Sequence, residues 1–140
     1  MKYLTAEQVL FVHARLIAET GGSHGVQDLS GLESAVKRPQ ASFDGKELYP
    51  DLFMKAAALL DSLVNNPPFL DGNKRTGISS AALFLQANGW HLTARNAELV
   101  EFTLQAAVSH PDLVVLAEWF RQKSKPSKKA PREADAPTER

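Results

Sequence analysis

The chain lacks cysteine entirely, and it has no long hydrophobic run. Without cysteine no disulfide framework can form, which is consistent with a cytoplasmic protein. No stretch approaches the roughly 18 consecutive apolar residues of a membrane-spanning helix. The opening residues, MKYLTAEQ, also lack the apolar segment of a signal peptide. We therefore expect neither secretion nor membrane insertion, and we expect a cytoplasmic location.

Net charge is also missing, because 16 basic residues balance 16 acidic ones. The balance is uneven, since six of the basic and three of the acidic residues lie from Gln122 onward. The rest of the chain therefore has three more acidic than basic residues. Proteins that bind nucleic acid directly carry a basic patch or stripe. The charge distribution thus argues against direct binding of nucleic acid.

What the chain does have is helical periodicity in 140 residues of 44% hydrophobic content, enough for one domain with a core. Thr5 and Gln8 have capping-box spacing at the start of a first helix. Ser30 and Glu33 repeat that spacing before a second helix, which Pro39 stops. Apolar residues then recur at helical spacing over 51–65, 74–88, 96–109 and 111–121. The sequence predicts an all-α fold, a compact bundle of about six helices.

Three further segments complete the predicted architecture. Residues 74–88 are apolar nearly all round after their first turn, so we expect them to form the central, buried helix. Phe43, Asp44 and Gly45 favour a short hairpin between the second and third helices. Residues 122–140 are polar, charged and rich in proline. We therefore predict a helical domain over residues 1–121 and a disordered tail over residues 122–140.

One stretch, residues 66–77, has the densest cluster of residues suited to a site; it reads NPPFLDGNKRTG. Asp71 supplies an anionic oxygen that suits a hard cation such as Mg²⁺. Gly72 permits a tight turn and a close approach of the backbone to a ligand. Asn73 is a good N-cap for the helix that follows it.

The start of that helix favours an anion. Its unpaired backbone N–H groups carry roughly half a positive elementary charge. Lys74 and Arg75 add two cations in the first turn, where they oppose the helix dipole unless an anionic partner offsets them. These residues predict a phosphate and metal pocket at a loop-to-helix junction. The alternative is an ordinary connector between helices, since turn chemistry alone explains Pro67, Asp71 and Gly72.

The stretch resembles the signature of the Fic/Doc family, which reads His-Pro-Phe-x-Asp/Glu-Gly-Asn-Gly/Lys-Arg. The matching positions are Phe69, Asp71, Gly72, Asn73, Lys74 and Arg75. The segments GVQDLSGLESAVKRP, YPDLFMKAAALLDSLVNN and ALFLQANGW are also similar to the death-on-curing (Doc) branch. Lys74 and Ile78 point to the same branch, because nucleotidyl-transferring Fic proteins have glycine and arginine there. The resemblance covers residues 3–121 and outweighs the connector interpretation.

The resemblance implies a toxin of a bacterial type II toxin–antitoxin pair, with a cognate antitoxin as its partner. Such a toxin uses ATP and Mg²⁺ to phosphorylate a Thr or Ser of a protein, which for Doc relatives is translation elongation factor Tu. By this resemblance Asp71 would hold the metal and act in catalysis with Lys74 and Arg75. Phosphate binding is implied for Gly72, Asn73, Lys74 and Arg75. A flap over residues 40–49 would position the target chain by strand-like pairing.

Pro67 departs from the family, because it stands at the position of the catalytic histidine. Proline has no side-chain base, and the neighbouring Asn66 is an amide that cannot take a proton near neutral pH. We therefore expect weak phosphotransferase activity. The alternative is a catalytically inactive Doc-fold module that binds nucleotide or antitoxin, and a third interpretation is an unrelated helical interaction domain.

Two histidines lie outside the signature. We expect His13 to be a partly buried helix residue and not a ligand, because it shares the apolar face of the first helix. We expect His24 to be a surface-loop residue. The alternative for His24 is that it turns toward the signature and replaces the missing base.

Overall fold

The computed structural model describes residues 1–127, and within them the chain folds into six α-helices. In chain order these are α1 (Ala6–Thr20), α2 (Leu29–Lys37), α3 (Leu52–Asn65), α4 (Asn73–Ala87), α5 (Asn96–Ser109) and α6 (Leu113–Gln122). A short 3₁₀ turn, Arg38–Gln40, follows α2. The prediction of an all-α bundle is confirmed. Over the described residues, none of the helices has both the length and the apolarity that crossing a membrane requires.

Helix α3 lies at the centre of the bundle, because it packs against α2, α4, α5 and α6. Its alanines 56–58 are fully buried and let the neighbouring helices approach closely. Gly77 of α4 lies so near α3 that a Cβ there would come within 3.0 Å of Val64 Cγ2. The prediction that the helix over 74–88 is central is therefore wrong: α3 buries ten residues and α4 six. Apolar content alone does not show how many neighbours a helix has.

The two predicted helix starts have different outcomes. Thr5 Oγ1 accepts the Gln8 N–H at 3.1 Å, and Gln8 Oε1 accepts the Thr5 N–H at 2.8 Å, so the first capping box is confirmed. The second is wrong, because Asp28 and not Ser30 is the N-cap of α2. Asp28 Oδ1 accepts the Gly31 N–H at 2.8 Å. A carboxylate is the stronger acceptor at the positive end of a helix.

A two-stranded hairpin, which we call the flap, precedes α3. Strand β1 (Ser42–Phe43) pairs with strand β2 (Lys46–Glu47) in antiparallel register, which confirms the predicted hairpin. The turn residues Asp44 and Gly45 have positive φ angles of 53° and 77°. Both residue types tolerate this left-handed conformation better than most.

Lys55 of α3 fastens the flap to the bundle. Its side chain is 2% exposed, and Nζ donates to Glu47 Oε1 at 2.5 Å and to the Pro39 carbonyl at 2.9 Å. Burial alone would lower the pKa of Lys55, but hydrogen bonds to Glu47 and Tyr3 outweigh this effect and raise the pKa. The ammonium group therefore stays charged at neutral pH and ties strand β2 of the flap, and the 3₁₀ turn that precedes the flap, to the core.

The segment after α6 corrects the predicted disordered tail. Gln122 is the last residue of α6, and strand β4 (Ser124–Pro126) pairs antiparallel with strand β3 (Trp90–Leu92). Main-chain hydrogen bonding orders this segment although it has no large apolar side chain, which composition cannot reveal. The remainder of the predicted tail, residues 128–140, lies outside the described residues.

Candidate functional site

The motif loop, residues 66–72, joins α3 to α4 and is held at its middle by Asn73. Asn73 Oδ1 accepts the Phe69 N–H at 3.0 Å, and Asn73 Nδ2 donates to the Phe69 carbonyl at 2.9 Å. The prediction that Asn73 is the N-cap of α4 is therefore wrong. Gly72 takes that position with φ of 77°. The Asn73 side chain turns back because Phe69 is buried and both of its main-chain groups need partners.

Helix α1 supports the same loop through His13. Its Nε2 lies 2.8 Å from the Asp71 carbonyl oxygen, and its ring stacks on the Phe69 ring at 3.8 Å between centroids. His13 is 4% exposed. The sequence predicts only that His13 is a partly buried helix residue, and it does not indicate this contact with the loop. A polar side chain on the buried face of α1, between Val9 and Ile17, is the signal that could have indicated a partner in the core.

The segment between α1 and α2, which we call the glycine loop (residues 21–28), runs alongside the motif loop. Leu70 N–H donates to the Gly25 carbonyl at 3.1 Å, and Gln27 N–H donates to the Pro68 carbonyl at 2.8 Å. The two loops therefore pair like short antiparallel strands. This pairing joins residues about 40 positions apart, so it leaves no mark on local periodicity.

The Asp71 carboxylate lies where the two loops meet. Its Oδ1 accepts the Gly72 N–H at 2.9 Å, and its Oδ2 accepts the Ser23 N–H at 3.2 Å. Gly22 makes room for it, because a Cβ at that position would come within 2.6 Å of Asp71 Oδ2. The carboxylate is thus held from two sides by backbone N–H groups and remains exposed.

The surroundings of Asp71 fit Mg²⁺ bound together with a phosphate. Over residues 1–127, no group of three or more His, Cys, Asp or Glu side chains could form a metal cage. Mg²⁺ commonly keeps several waters and takes one or two carboxylates plus substrate phosphates, unlike the ions that need an all-protein cage. A single fixed carboxylate beside an anion-binding helix end matches that requirement.

The start of α4 provides groups that are suited to an anion. The first hydrogen bond of the helix runs from Thr76 N–H to the Gly72 carbonyl at 2.9 Å, so the N–H groups of residues 73–75 precede the helical ladder. The Lys74 side chain is exposed and has no hydrogen bond or ion pair within the described part of the chain. Arg75 differs, because its Nη1 donates to Thr20 Oγ1 at 2.5 Å. Lys74 is therefore the cation that is free to meet an anion.

A cleft of about 700 Å³ opens at this helix start, between α1, α4 and α5. The predicted site residues that line it are Asp71, Gly72, Asn73, Lys74 and Arg75. The apolar wall opposite them is formed largely by Leu16, Leu99, Val100 and Leu104. Polar groups gathered at one side of a largely apolar cleft are typical of small-molecule sites.

The other end of the motif loop has no proton acceptor. The Pro67 carbonyl accepts a hydrogen bond from Gln27 Nε2 at 3.1 Å, but its ring offers no base. His24 lies in the glycine loop next to Ser23, whose N–H reaches Asp71. The His24 side chain is exposed and has no partner among residues 1–127. The backbone of His24 thus lies close to the site, and its role as a substitute base stays a prediction.

Comparison with known proteins agrees with this geometry. A family model described as "Fic/DOC family" matches residues 3–85. "Toxin Doc" of Mycolicibacterium smegmatis is 45% identical over 93 residues, which cover 66% of this chain and 69% of that protein. "Protein kinase doc" of Escherichia phage P1 is 31% identical over 122 residues, covering 87% of this chain and 95% of that protein. The chain therefore belongs to the Fic/DOC family, within its Doc branch.

Proposed function

We propose that this chain is a Doc-type toxin of a bacterial type II toxin–antitoxin pair, acting in the cytoplasm. Two relatives carry the names "Toxin Doc" and "Protein kinase doc", and the similarity to the second spans nearly all of that protein. The observation that supports this function best is the cleft at the start of α4. It combines a fixed carboxylate, unpaired helix N–H groups and the free Lys74 cation.

The proposed cosubstrate is ATP with Mg²⁺. The Asp71 carboxylate would hold the metal, which supplies charge neutralisation at the transferred phosphoryl group. The N–H groups of residues 73–75 and the Lys74 ammonium would bind phosphate oxygens. Arg75 lines the same cleft and would join them after leaving Thr20.

The proposed reaction moves the γ-phosphoryl group of ATP to a Thr or Ser hydroxyl of a protein, with elongation factor Tu as the expected target. A bond forms between the hydroxyl oxygen and the γ-phosphorus, the bond to the β-phosphate oxygen breaks, and ADP leaves. The hydroxyl proton needs an acceptor, and Pro67 cannot be one. Phosphoryl transfer depends mainly on positioning and charge neutralisation, so we expect a slow reaction and not a complete loss.

The flap is the proposed docking edge for the target chain. Its two strands are short, and each pairs only with the other within the described residues. A segment of the target could therefore add as a third strand. Lys55 holds the flap in place through Glu47, so the edge is fixed before the target arrives.

A cognate antitoxin is the proposed partner. Val100, Leu104 and Val108 recur every four residues along α5 and are exposed, which is unusual for one face of a helix. Val100 and Leu104 also line the cleft, so a segment covering this stripe would block it. A pull-down from cells expressing the native operon should recover the antitoxin, and Leu104→Glu should weaken its capture. Recovery that is equal with this variant would contradict the proposed surface.

A second candidate function is a binding module without catalysis, which the missing base at Pro67 favours. Such a module would bind nucleotide or antitoxin through the same cleft and transfer nothing.

The two functions are tested by calorimetry with ATP and by transfer of radiolabelled γ-phosphate to elongation factor Tu. The wild-type chain should bind ATP more tightly with Mg²⁺ than with EDTA, and it should label the target slowly at high enzyme concentration. Asp71→Ala should remove both the Mg²⁺ dependence and the label. Asp112→Ala, which changes an exposed aspartate before α6, serves as the matched control and should change neither.

Three other outcomes separate the interpretations. ATP binding without any label on the target would favour the binding module. Absence of ATP binding would contradict both nucleotide-based functions. Equal binding by the wild type and Asp71→Ala would remove Asp71 from the metal site.

A further inference from the structure

His13 is a buried titratable side chain that the proposed reaction does not use. It projects from the middle of α1 into the core and is 4% exposed. Its Nε2 lies 2.8 Å from the Asp71 carbonyl oxygen. Its ring lies parallel to the Phe69 ring, with an interplanar angle of 5°. These two contacts hold the motif loop on both sides of Leu70.

The chemistry of this contact assigns the proton. A carbonyl oxygen can only accept a hydrogen bond, so the His13 Nε2 carries the hydrogen. Both the neutral ring in this tautomer and the protonated ring have that N–H group.

The bond fixes the orientation of the peptide unit between Asp71 and Gly72. In a trans peptide the C=O and N–H groups point in opposite directions, and no peptide bond in the described chain is cis. When the Asp71 carbonyl points to His13, the Gly72 N–H must point away from α1. That N–H donates to Asp71 Oδ1 at 2.9 Å. The hydrogen bond made by His13 is thus transmitted through one rigid peptide unit to the carboxylate.

Gly72 makes such a restraint necessary. It has φ of 77° and ψ of 18°, and glycine also reaches many other backbone conformations at low energy. Without a bond on the carbonyl side, this peptide unit could rotate and withdraw its N–H from Asp71. The remaining hold on the carboxylate would be the Ser23 N–H at 3.2 Å.

We propose that His13 is a positioning residue that orients the Asp71 carboxylate for Mg²⁺ through the peptide unit between Asp71 and Gly72. The link to Mg²⁺ rests on the proposed function, whereas the orientation of the peptide unit does not. The proposal therefore has one readout that needs no ligand and one that does.

The first readout is hydrogen exchange of the Gly72 amide, followed by NMR in the full-length protein. His13→Leu keeps an apolar side chain in the core but has no donor, and it should accelerate this exchange about tenfold. His13→Gln offers an N–H at similar reach and should stay within about threefold of wild type. Val9→Ala removes buried volume one turn earlier on α1, so it controls for simple destabilisation and should leave Gly72 unchanged.

The second readout is the affinity for ATP, measured with Mg²⁺ and with EDTA. His13→Leu should weaken binding of ATP about tenfold with Mg²⁺ and less than about twofold with EDTA. His13→Gln should restore most of the Mg²⁺-dependent affinity. In an Asp71→Ala background, His13→Leu should have no further effect, because the carboxylate it positions is gone.

The proposal is overturned if the Gly72 amide exchanges equally in wild type and His13→Leu, or if Gln restores nothing. Equal losses of ATP affinity with Mg²⁺ and with EDTA would likewise show that His13 acts only through stability. If the wild type binds no ATP, the proposed function fails, but the exchange experiment still decides whether His13 orients the loop.

Discussion

The two ends of the motif loop differ in what they can do. The end at Asp71 carries a carboxylate held by two N–H groups, the start of α4 and the free cation of Lys74. The end at Pro67 is also held by hydrogen bonds, from Gln27 Nε2 to the Pro67 carbonyl and from Gln27 N–H to the Pro68 carbonyl. It nevertheless offers only carbonyl groups, proline rings and the Asn66 amide, none of which takes a proton near neutral pH.

This difference shows that the shape of the site and its proton chemistry are maintained by different groups. The Gln27 side chain donates to the Pro67 carbonyl and the Gln27 backbone N–H donates to the Pro68 carbonyl, so neither bond needs the side chain at residue 67. We therefore expect the proposed binding groups at the Asp71 end to be independent of the side chain at residue 67. The following experiments break or sharpen this contrast, beginning with the largest expected effect.

Pro67→His should change chemistry without changing binding. A general base contributes about 10²–10⁴-fold, so transfer of γ-phosphate to elongation factor Tu should rise by that factor, and expression should arrest growth. ATP affinity should stay within about twofold, because the groups that would bind phosphate lie at the other end. Calorimetry and radiolabel transfer on the same preparations provide both numbers.

The control for this gain is Pro67→Ala, which removes the ring but adds no base. Pro67 fixes its own φ and has no N–H, so both variants relax the loop in the same way. A comparable gain with alanine would attribute the effect to loop flexibility. Strong transfer by the unmodified chain would mean that another base serves, and His24→Ala is then the decisive variant.

Gly22→Ala should damage the Asp71 end selectively. The new Cβ would come within 2.6 Å of Asp71 Oδ2 and displace the carboxylate. Mutation of a group that orients a metal ligand typically lowers metal affinity about 10–100-fold. ATP binding with Mg²⁺ should therefore weaken by about that factor. Binding with EDTA should change little.

Gly21→Ala is the matched control, because Gly21 also has a positive φ but has free space where a Cβ would be. The φ angles of Gly21 and Gly22 are 87° and 115°, so alanine is strained at each, by about 1–3 kcal/mol. A Cβ at Gly21 meets nothing within 4 Å. Equal loss of Mg²⁺-dependent binding in the two variants would contradict a specific effect on Asp71.

Lys74→Met should weaken ATP binding about tenfold, with and without Mg²⁺. The variant lacks the free ammonium group and therefore the charged hydrogen bond that this group would donate to phosphate. Arg75→Met should have a smaller effect, since the Arg75 guanidinium already donates to Thr20 Oγ1. Titration of both variants with ATP measures the difference. The opposite ranking would mean that Arg75 contributes more to nucleotide binding than Lys74, although it must first leave Thr20.

Gln27→Ala should have the smallest effect. It removes one exposed hydrogen bond to the Pro67 carbonyl, so the free energy of unfolding should fall by about 0.5–1 kcal/mol. ATP affinity should not change, because this bond lies at the end without phosphate-binding groups. Urea unfolding and calorimetry test the two statements separately. A marked loss of ATP affinity would show that the two ends are coupled.

Much of this protein can be predicted from its residues alone. Apolar spacing predicts five of the six helices found over residues 1–127, and capping-box spacing with the stop at Pro39 predicts the remaining one, α2. The Thr5 capping box depends on neighbours three positions apart, and it is present as predicted. The signature from Phe69 to Arg75 is likewise continuous in the chain, so it indicates both the family and the position of the site.

The errors concern partners that local patterns do not identify, some near in sequence and some far apart. Asn73 has the composition of an N-cap, yet its side chain turns back because burial of Phe69 leaves two main-chain groups to satisfy. Composition places the tail at residue 122, yet Ser124–Pro126 is ordered by a strand more than 30 positions earlier.

The Asp71 end of the site also depends on contacts between residues that lie far apart in sequence. His13 meets the Asp71 carbonyl across 58 positions, and Ser23 meets the Asp71 carboxylate across 48. No periodic pattern encodes such pairs, because they arise only when α1 and the glycine loop pack against the start of α4. The identity of the functional residues is therefore local information, whereas the orientation of the Asp71 carboxylate depends on how distant segments pack.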